Sequence, residues 1–343
     1  MATAATINDV AKMAGVSIKT VSRVVNREPN VREKTRDLVL QAIQQLNYKP
    51  SLAARGLAGG RSFLIGMMYD NASDSFLVDL QRGILRACRE RHYGLALCPA
   101  SRAEDRTADL MEWVVSTQPD GIILTPPLSD DQSLVDRLID ANVTFISVSS
   151  TGTGLGPSVL IDEVDAARSM AQHLIDAGYQ DIGFIKGPAD HACSDLRFRG
   201  FEMAMNSAGL PVNSDWVKVG EFDFDSGVAA AEQMLKGPNR PTAIFASNDD
   251  MAAGVINVAY RSGLNVPKDL AVAGFDDTPL AQHFWPGLST VKQPIIQIGQ
   301  QATEYLMGLF EGPPSGDSNE KTKSGEQSMV LPYELVLRGS TGA

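Results

Sequence analysis

Apolar positions in the first fifty residues recur at helical spacing, in three short bursts. Ile7, Val10, Ala11 and Ala14 stand at i, i+3, i+4 and i+7, one face of a short helix. Thr6 followed by Asp9 has the spacing of an N-terminal cap, and Gly15 suits the left-handed conformation that ends a helix. Ser17 can cap a second helix, Ile18 to about Asn26, with Val21, Val24 and Val25 as its inner stripe. Pro29 and Asn30 break the chain. A third helix, about Arg32 to Leu46, turns Val39, Ala42, Ile43 and Leu46 inward. Two short helices joined by a glycine-containing turn, with a third to complete the core, predict a small all-α helix-turn-helix head. A three-helix packing module without a nucleic-acid role would share this pattern.

Beyond Arg61 the period changes. Apolar runs at 63–69, 94–98, 121–125 and 143–148 alternate with helical stretches, and the series resumes at 181–187, 242–247 and 270–275. Nearly continuous apolar strands between helices predict parallel sheets covered on both faces. Groups of four and three strands predict two similar lobes, with Pro and Gly around 152–157 near the join. Residues 311–328, "EGPPSGDSNEKTKSGEQS", read as a loop, and "MVLPYELVLRGST" then returns as a strand.

Composition narrows the class. The chain has 343 residues, 43% apolar and 21% charged, an ordinary globular mix. No run approaches the length needed to span a bilayer, and "MATAATIND" lacks the basic start and apolar core of a secretory signal. A cytoplasmic, nucleoid-associated protein without membrane contact is expected. Cys88, Cys98 and Cys193 form no CxxC pair, so buried reduced thiols are expected rather than disulfides or a zinc site. No metal or cofactor is expected. Charge is uneven: residues 1–62 hold ten Lys/Arg and four Asp/Glu, so a +6 head precedes a body that brings the total to −11. A basic head on an acidic body suits contact with a polyanion through the head alone. The major groove of DNA admits one helix and displays a distinct pattern for each base pair. A second helix entering it N-terminus first would bring Ile18 to a thymine methyl, Lys19 to guanine, and Arg23 to a base edge or phosphate. Thr6, Ser17, Ser22, Asn26 and Thr35 would hold phosphates.

The segment "DVAKMAGVSIKTVSRVVN", with "LNYKP" after it, closely resembles the DNA-binding head of the LacI/GalR family of bacterial repressors. The resemblance continues through most of the chain and adds Thr20 and Tyr48 to the candidate DNA contacts. One departure is Arg32, where the family usually has a capping serine. Residues 1–49 are then the head and 50–61 a linker. Ser51 can cap a short hinge helix there, weakened by Gly56 at a cost of about 1 kcal/mol relative to alanine. The resemblance implies that this hinge orders on DNA and that Leu57 wedges into the minor groove. For residues 62–343 it implies a two-lobed periplasmic-binding-protein-like α/β body. Its first lobe would comprise about 62–161 and 293–322, and its second about 162–292 and 323–340. A homodimer on a near-palindromic operator is implied by the same resemblance.

Ligands on parallel sheets bind beyond the carboxyl ends of the strands. The residues after predicted strands are therefore where effector candidates lie: Asp70, Asn71 and Phe76 from the first lobe and Asn248 from the second. The family resemblance implies Arg197 as its effector arginine, Phe222 as its aromatic and Asp276 as its ligand-binding acid. Gln293 stands near a lobe crossing, and Ser149 where several sugar-binding relatives carry aspartate. Each has a structural alternative. Asp276 could cap a helix, Arg197 could pair with Asp195 or Glu202, and Phe222 could be core. Together they suit a sugar or sugar derivative ahead of a purine or other metabolite. A ligand-responsive repressor of carbohydrate-utilisation genes is the leading reading. A transport-linked binding protein would share the body but not the head. Catalysis has no motif among His92, His173, His191 and His283.

Overall fold

The computed structural model describes residues 5–25, 30–48, 61–70, 73–100, 106–149, 156–311 and 328–342. The head contains the three expected helices: α1 (Ile7–Ala14), α2 (Ile18–Val25) and α3 (Glu33–Gln45). The Thr6 hydroxyl and backbone N–H both donate to the Asp9 carboxylate, and the Asp9 N–H returns to Thr6 Oγ1, closing a capping box. Gly15 ends α1 at φ 65°, where a side chain would be strained. Ser17 Oγ accepts from the Thr20 N–H at 3.2 Å and so caps α2. Arg32 occupies the cap of α3 without a side-chain hydrogen bond, so that helix starts without the help a serine would give. Val10, Ala11, Val21, Val24, Val39, Ala42 and Tyr48 form the head's own core.

The body holds two six-stranded sheets. The first lobe's strands are β1 (Leu64–Tyr69), β2 (Gly94–Pro99), β3 (Gly121–Leu124), β4 (Phe145–Val148), β5 (Ser158–Leu160) and β11 (Ser328–Val330). They lie in the order β11-β5-β4-β3-β1-β2, and every pairing is parallel. The second lobe contains β6 (Ile182–Lys186), β7 (Val217–Val219), β8 (Ala243–Ala246), β9 (Ala271–Asp276), β10 (Ser289–Lys292) and β12 (Glu334–Val336), in the order β12-β10-β9-β8-β6-β7. Only β10–β12 is antiparallel there. Every residue of β3, β4, β8 and β9 is buried, as strands covered on both faces must be.

The chain crosses between lobes after β5, after β10 and after β11. The third crossing differs from expectation. The tail returns as two strands, and β11 completes the first lobe before β12 joins the second, so the chain changes lobes beyond Val330 rather than at 322–323. Pro332 and its neighbours break the strand there.

The helices of the body are α4 (Asp74–Arg91), α5 (Arg106–Thr117), α6 (Gln132–Asp140), α7 (Glu163–Asp176), α8 (Ala192–Ser207), α9 (Phe224–Met234), α10 (Asp249–Arg261), α11 (Pro279–His283) and α12 (Ile295–Glu311). Gly83 lets α4 pack directly on α12: a Cβ there would stand 2.0 Å from the Ile296 carbonyl oxygen. One apolar cluster contains residues of both lobes together with Ile161, Val291, Ile295 and Leu331 at the crossings. All three cysteines are buried and free, and burial pushes their thiols up, Cys88 and Cys193 to about 12 and Cys98 to about 11. Among the described residues, no helix is long and apolar enough to cross a membrane.

Candidate functional site

Two surfaces carry candidate chemistry. In the head, burial of Val21 and Val24 turns the opposite face of α2 outward. Ile18 is 49% exposed, an unusual position for a β-branched apolar side chain, and Lys19 and Arg23 are exposed beside it. Thr20, Ser22 and Thr35 are half-buried around this face. Thr6 and Ser17 are exposed, with hydroxyls already engaged in helix capping. Tyr48 is buried against the head core. Asn26, Leu57 and Asn71 lie outside the described residues.

The second surface is the cleft between the lobes. Residues beyond the carboxyl ends of the strands converge on a cavity between the lobes. Seven expected residues line it: Phe76, Ser149, Arg197, Phe222, Asn248, Asp276 and Gln293. Ser73, Pro126 and Cys193 complete the wall. Two of these three could have been found from the sequence. Pro126 stands just after β3 as the other candidates stand after their strands, and Cys193 precedes Arg197 by one helical turn on α8, on the same face. Asp70 does not line the cavity. Its carboxylate is turned aside to Arg106, 3.1 Å away.

Arg197 is 5% exposed and fully engaged on one side. Its Nε donates to Glu163 Oε2 at 2.8 Å, Nη2 to Glu163 Oε1 at 3.2 Å, and Nη1 to the Ser247 carbonyl at 2.6 Å. The guanidinium lies 3.7 Å from the Phe275 ring centroid. Neither Asp195 nor Glu202 is its partner; Asp195 binds Lys186 instead. Burial opposes the charge of Arg197, yet Glu163 and its other acidic neighbours hold its pKa above the usual arginine value.

Asp276 ends β9 and caps no helix. Burial raises its carboxyl to about 7 against the opposing pull of Arg197 and of the hydrogen bond from Gln293 Nε2, 2.7 Å away. Asp249, wholly buried behind it, accepts from the Thr278 N–H, the Thr278 hydroxyl and the Thr290 hydroxyl. Burial, reinforced by the charge of Asp276, raises its pKa well above the ordinary value despite those donors. Asn248 caps α10 through the Met251 N–H and donates to the Phe222 carbonyl, which fixes the Phe222 ring against the cavity. Phe222 is thus both buried in the second lobe and a cavity wall. Among the described residues, the buried Ser149 Oγ and Gln293 Oε1 have no hydrogen-bond partner. Across the lips of the cleft, Ser73 Oγ donates to Asp250 Oδ2 at 3.1 Å, joining one lobe to the other.

A family described as "Bacterial regulatory proteins, lacI family" matches residues 6–51, and "Periplasmic binding protein-like domain" matches residues 171–341. Catabolite control protein A of Priestia megaterium is 37% identical over 341 residues, covering 98% of this chain and 99% of its own. The ribose operon repressor of Escherichia coli strain K12 is 36% identical over 313 residues, covering 90% and 94%. The crystal structure of the lac repressor dimer bound to operator and the anti-inducer ONPF aligns with a TM-score of 0.82 at 29% identity, covering 99% of both chains.

Proposed function

Because the chain belongs to the lacI family of bacterial regulatory proteins, we propose that it is a cytoplasmic, ligand-responsive repressor of carbohydrate-utilisation genes. It reads a near-palindromic operator as a homodimer, through α2 in the major groove and Leu57 in the minor groove, and takes a sugar or sugar derivative into the cleft. The observation that carries this reading is the pairing, on one chain, of an outward α2 face with a cavity whose walls come from both lobes. Ile18, Lys19 and Arg23 give the face one apolar and two cationic contacts, the mixture that base edges and phosphates require. In the cavity, Phe76 and Phe222 offer ring faces while Arg197, Asp276, Gln293 and Ser149 offer polar atoms, as a sugar needs. A relative named as a ribose operon repressor agrees with a carbohydrate occupant.

Gel-shift titration of the full chain on upstream DNA tests the proposal. Affinity falls steeply with salt as phosphate contacts release counterions. Lys19→Ala costs cognate binding about 1–3 kcal/mol while non-specific binding changes much less. Binding that shows no preference for upstream DNA over random competitor, with and without sugars, refutes it.

A further inference from the structure

Resting on the reading of the cleft as an effector site, we propose that its effector is an uncharged polyhydroxyl compound and that Glu163 is the residue that excludes phosphorylated and carboxylated congeners. Among the described residues lining the cavity, Arg197 is the only cation. Its charge is already matched by Glu163, which is 4% exposed and grips the guanidinium with both carboxylate oxygens. Asp276 stands in the same wall, and Asp249 is buried behind it. Among the described lining residues, an anion would find no unmatched positive charge and at least one further carboxyl group. A buried charge without a partner is strongly disfavoured.

Hydrogen-bond inventory points the same way. Arg197 has five N–H donors, of which three are committed to Glu163 and Ser247, so two remain. Gln293 Oε1 only accepts, and one of its two Nε2 hydrogens goes to Asp276. Ser149 Oγ both donates and accepts. The cavity therefore presents acceptors as well as donors. A sugar hydroxyl donates and accepts and can satisfy all of them. An ionised phosphate offers acceptors alone, and its oxygens would oppose the Gln293 carbonyl oxygen and the Asp276 carboxyl. Glu163 lies at the first lobe crossing, at the start of α7, so its reach to α8 is set by the backbone rather than by the ligand.

Isothermal titration of the full-length protein with matched pairs, D-ribose against ribose 5-phosphate and D-glucose against glucose 6-phosphate, tests the proposal. The neutral member of a bound pair is expected to bind at least about a hundredfold more tightly. A phosphorylated member that binds as well or better overturns the exclusion while leaving a sugar effector in place. Flat titrations with both members of every pair overturn the sugar reading and this inference with it, and are told apart by that flatness. Glu163→Gln leaves Arg197 unmatched and should narrow the gap by about tenfold or more, whereas Glu163→Asp, which keeps the charge, should preserve it. A gap unchanged by Glu163→Gln overturns the role of Glu163. The wild-type comparison stands by itself if that variant fails to fold.

Discussion

Replacing Arg197 by leucine isolates the buried ion pair in the wall of the cleft. In the native chain the guanidinium satisfies both oxygens of Glu163, a residue almost wholly removed from water, and the carbonyl of Ser247. Leucine fills much of the volume against Phe275 but leaves a buried carboxylate without counter-charge. Breaking a buried pair in this way costs about 3–5 kcal/mol. The orphaned Ser247 carbonyl adds about 1–3 kcal/mol. Removing the second charge as well, in Arg197→Leu/Glu163→Leu, should recover most of the loss, because apolar replacements of buried pairs are near neutral. What remains is the share of Ser247. Trp113, Trp216 and Trp285 all lie in the body, so tryptophan fluorescence in urea reads body unfolding without signal from the head. The single variant should lower the urea midpoint by about 1 M or more, with the double variant falling between it and the native chain. A single variant within about 1 kcal/mol of wild type, the range expected for an exposed pair, or a double variant less stable than the single, would refute the view that Glu163 is tied to Arg197 by charge rather than by shape.

The same cleft has two further measurable consequences. The carboxyl of Asp276 is raised to about 7 from an unfolded value near 3.8, so the folded state binds its proton more tightly and stability falls as pH rises from 4 through 7. His173, lowered by burial, works in the opposite sense, and Asp250, raised by burial, in the same sense. The difference between wild type and Asp276→Asn removes both contributions and reports Asp276 together with Asp249, which its charge raises. Thermal denaturation should show Asp276→Asn losing less stability than wild type between pH 5 and 8, and parallel profiles would contradict the assignment. Ser73→Ala removes the hydroxyl that donates across the cleft to Asp250. Small-angle scattering should then show a larger radius of gyration without added sugar, and an unchanged value would mean that this bond does not hold the lobes together.

The head is legible in the sequence almost to the residue, because its signals are local: a capping box four residues long, a glycine at the helix end and apolar positions one turn apart. The seven long apolar strands are legible for a similar reason. β7, β11 and β12 do not read as separate strands, since three residues with half-polar or exposed side chains carry no period. β10 is hidden differently. Its Ser289 and Thr290 are buried because Ser340, Thr341 and Asp249 supply hydrogen-bond partners from 41 to 52 residues away. Position just beyond the carboxyl end of a strand marks most of the cleft residues, but it says nothing of how they pair. Glu163 and Arg197 stand 34 residues apart, and no local pattern announces that one neutralises the other. Tyr48 and Asp70 show the converse: a plausible place in the chain, with the side chain drawn into the head core or toward Arg106.

Two neighbouring strands, β11 and β12, seal both lobes at once. β11 covers the edge of β5 and β12 the edge of β10, and Ser340 then ties the C-terminal turn to Ser289 and Val272. A nascent chain stopped at residue 327 would leave two sheet borders open together, each able to recruit a stray strand. Closure of both sheets therefore waits on one short segment, whereas the head's core, drawn from residues 10–48, needs nothing from it.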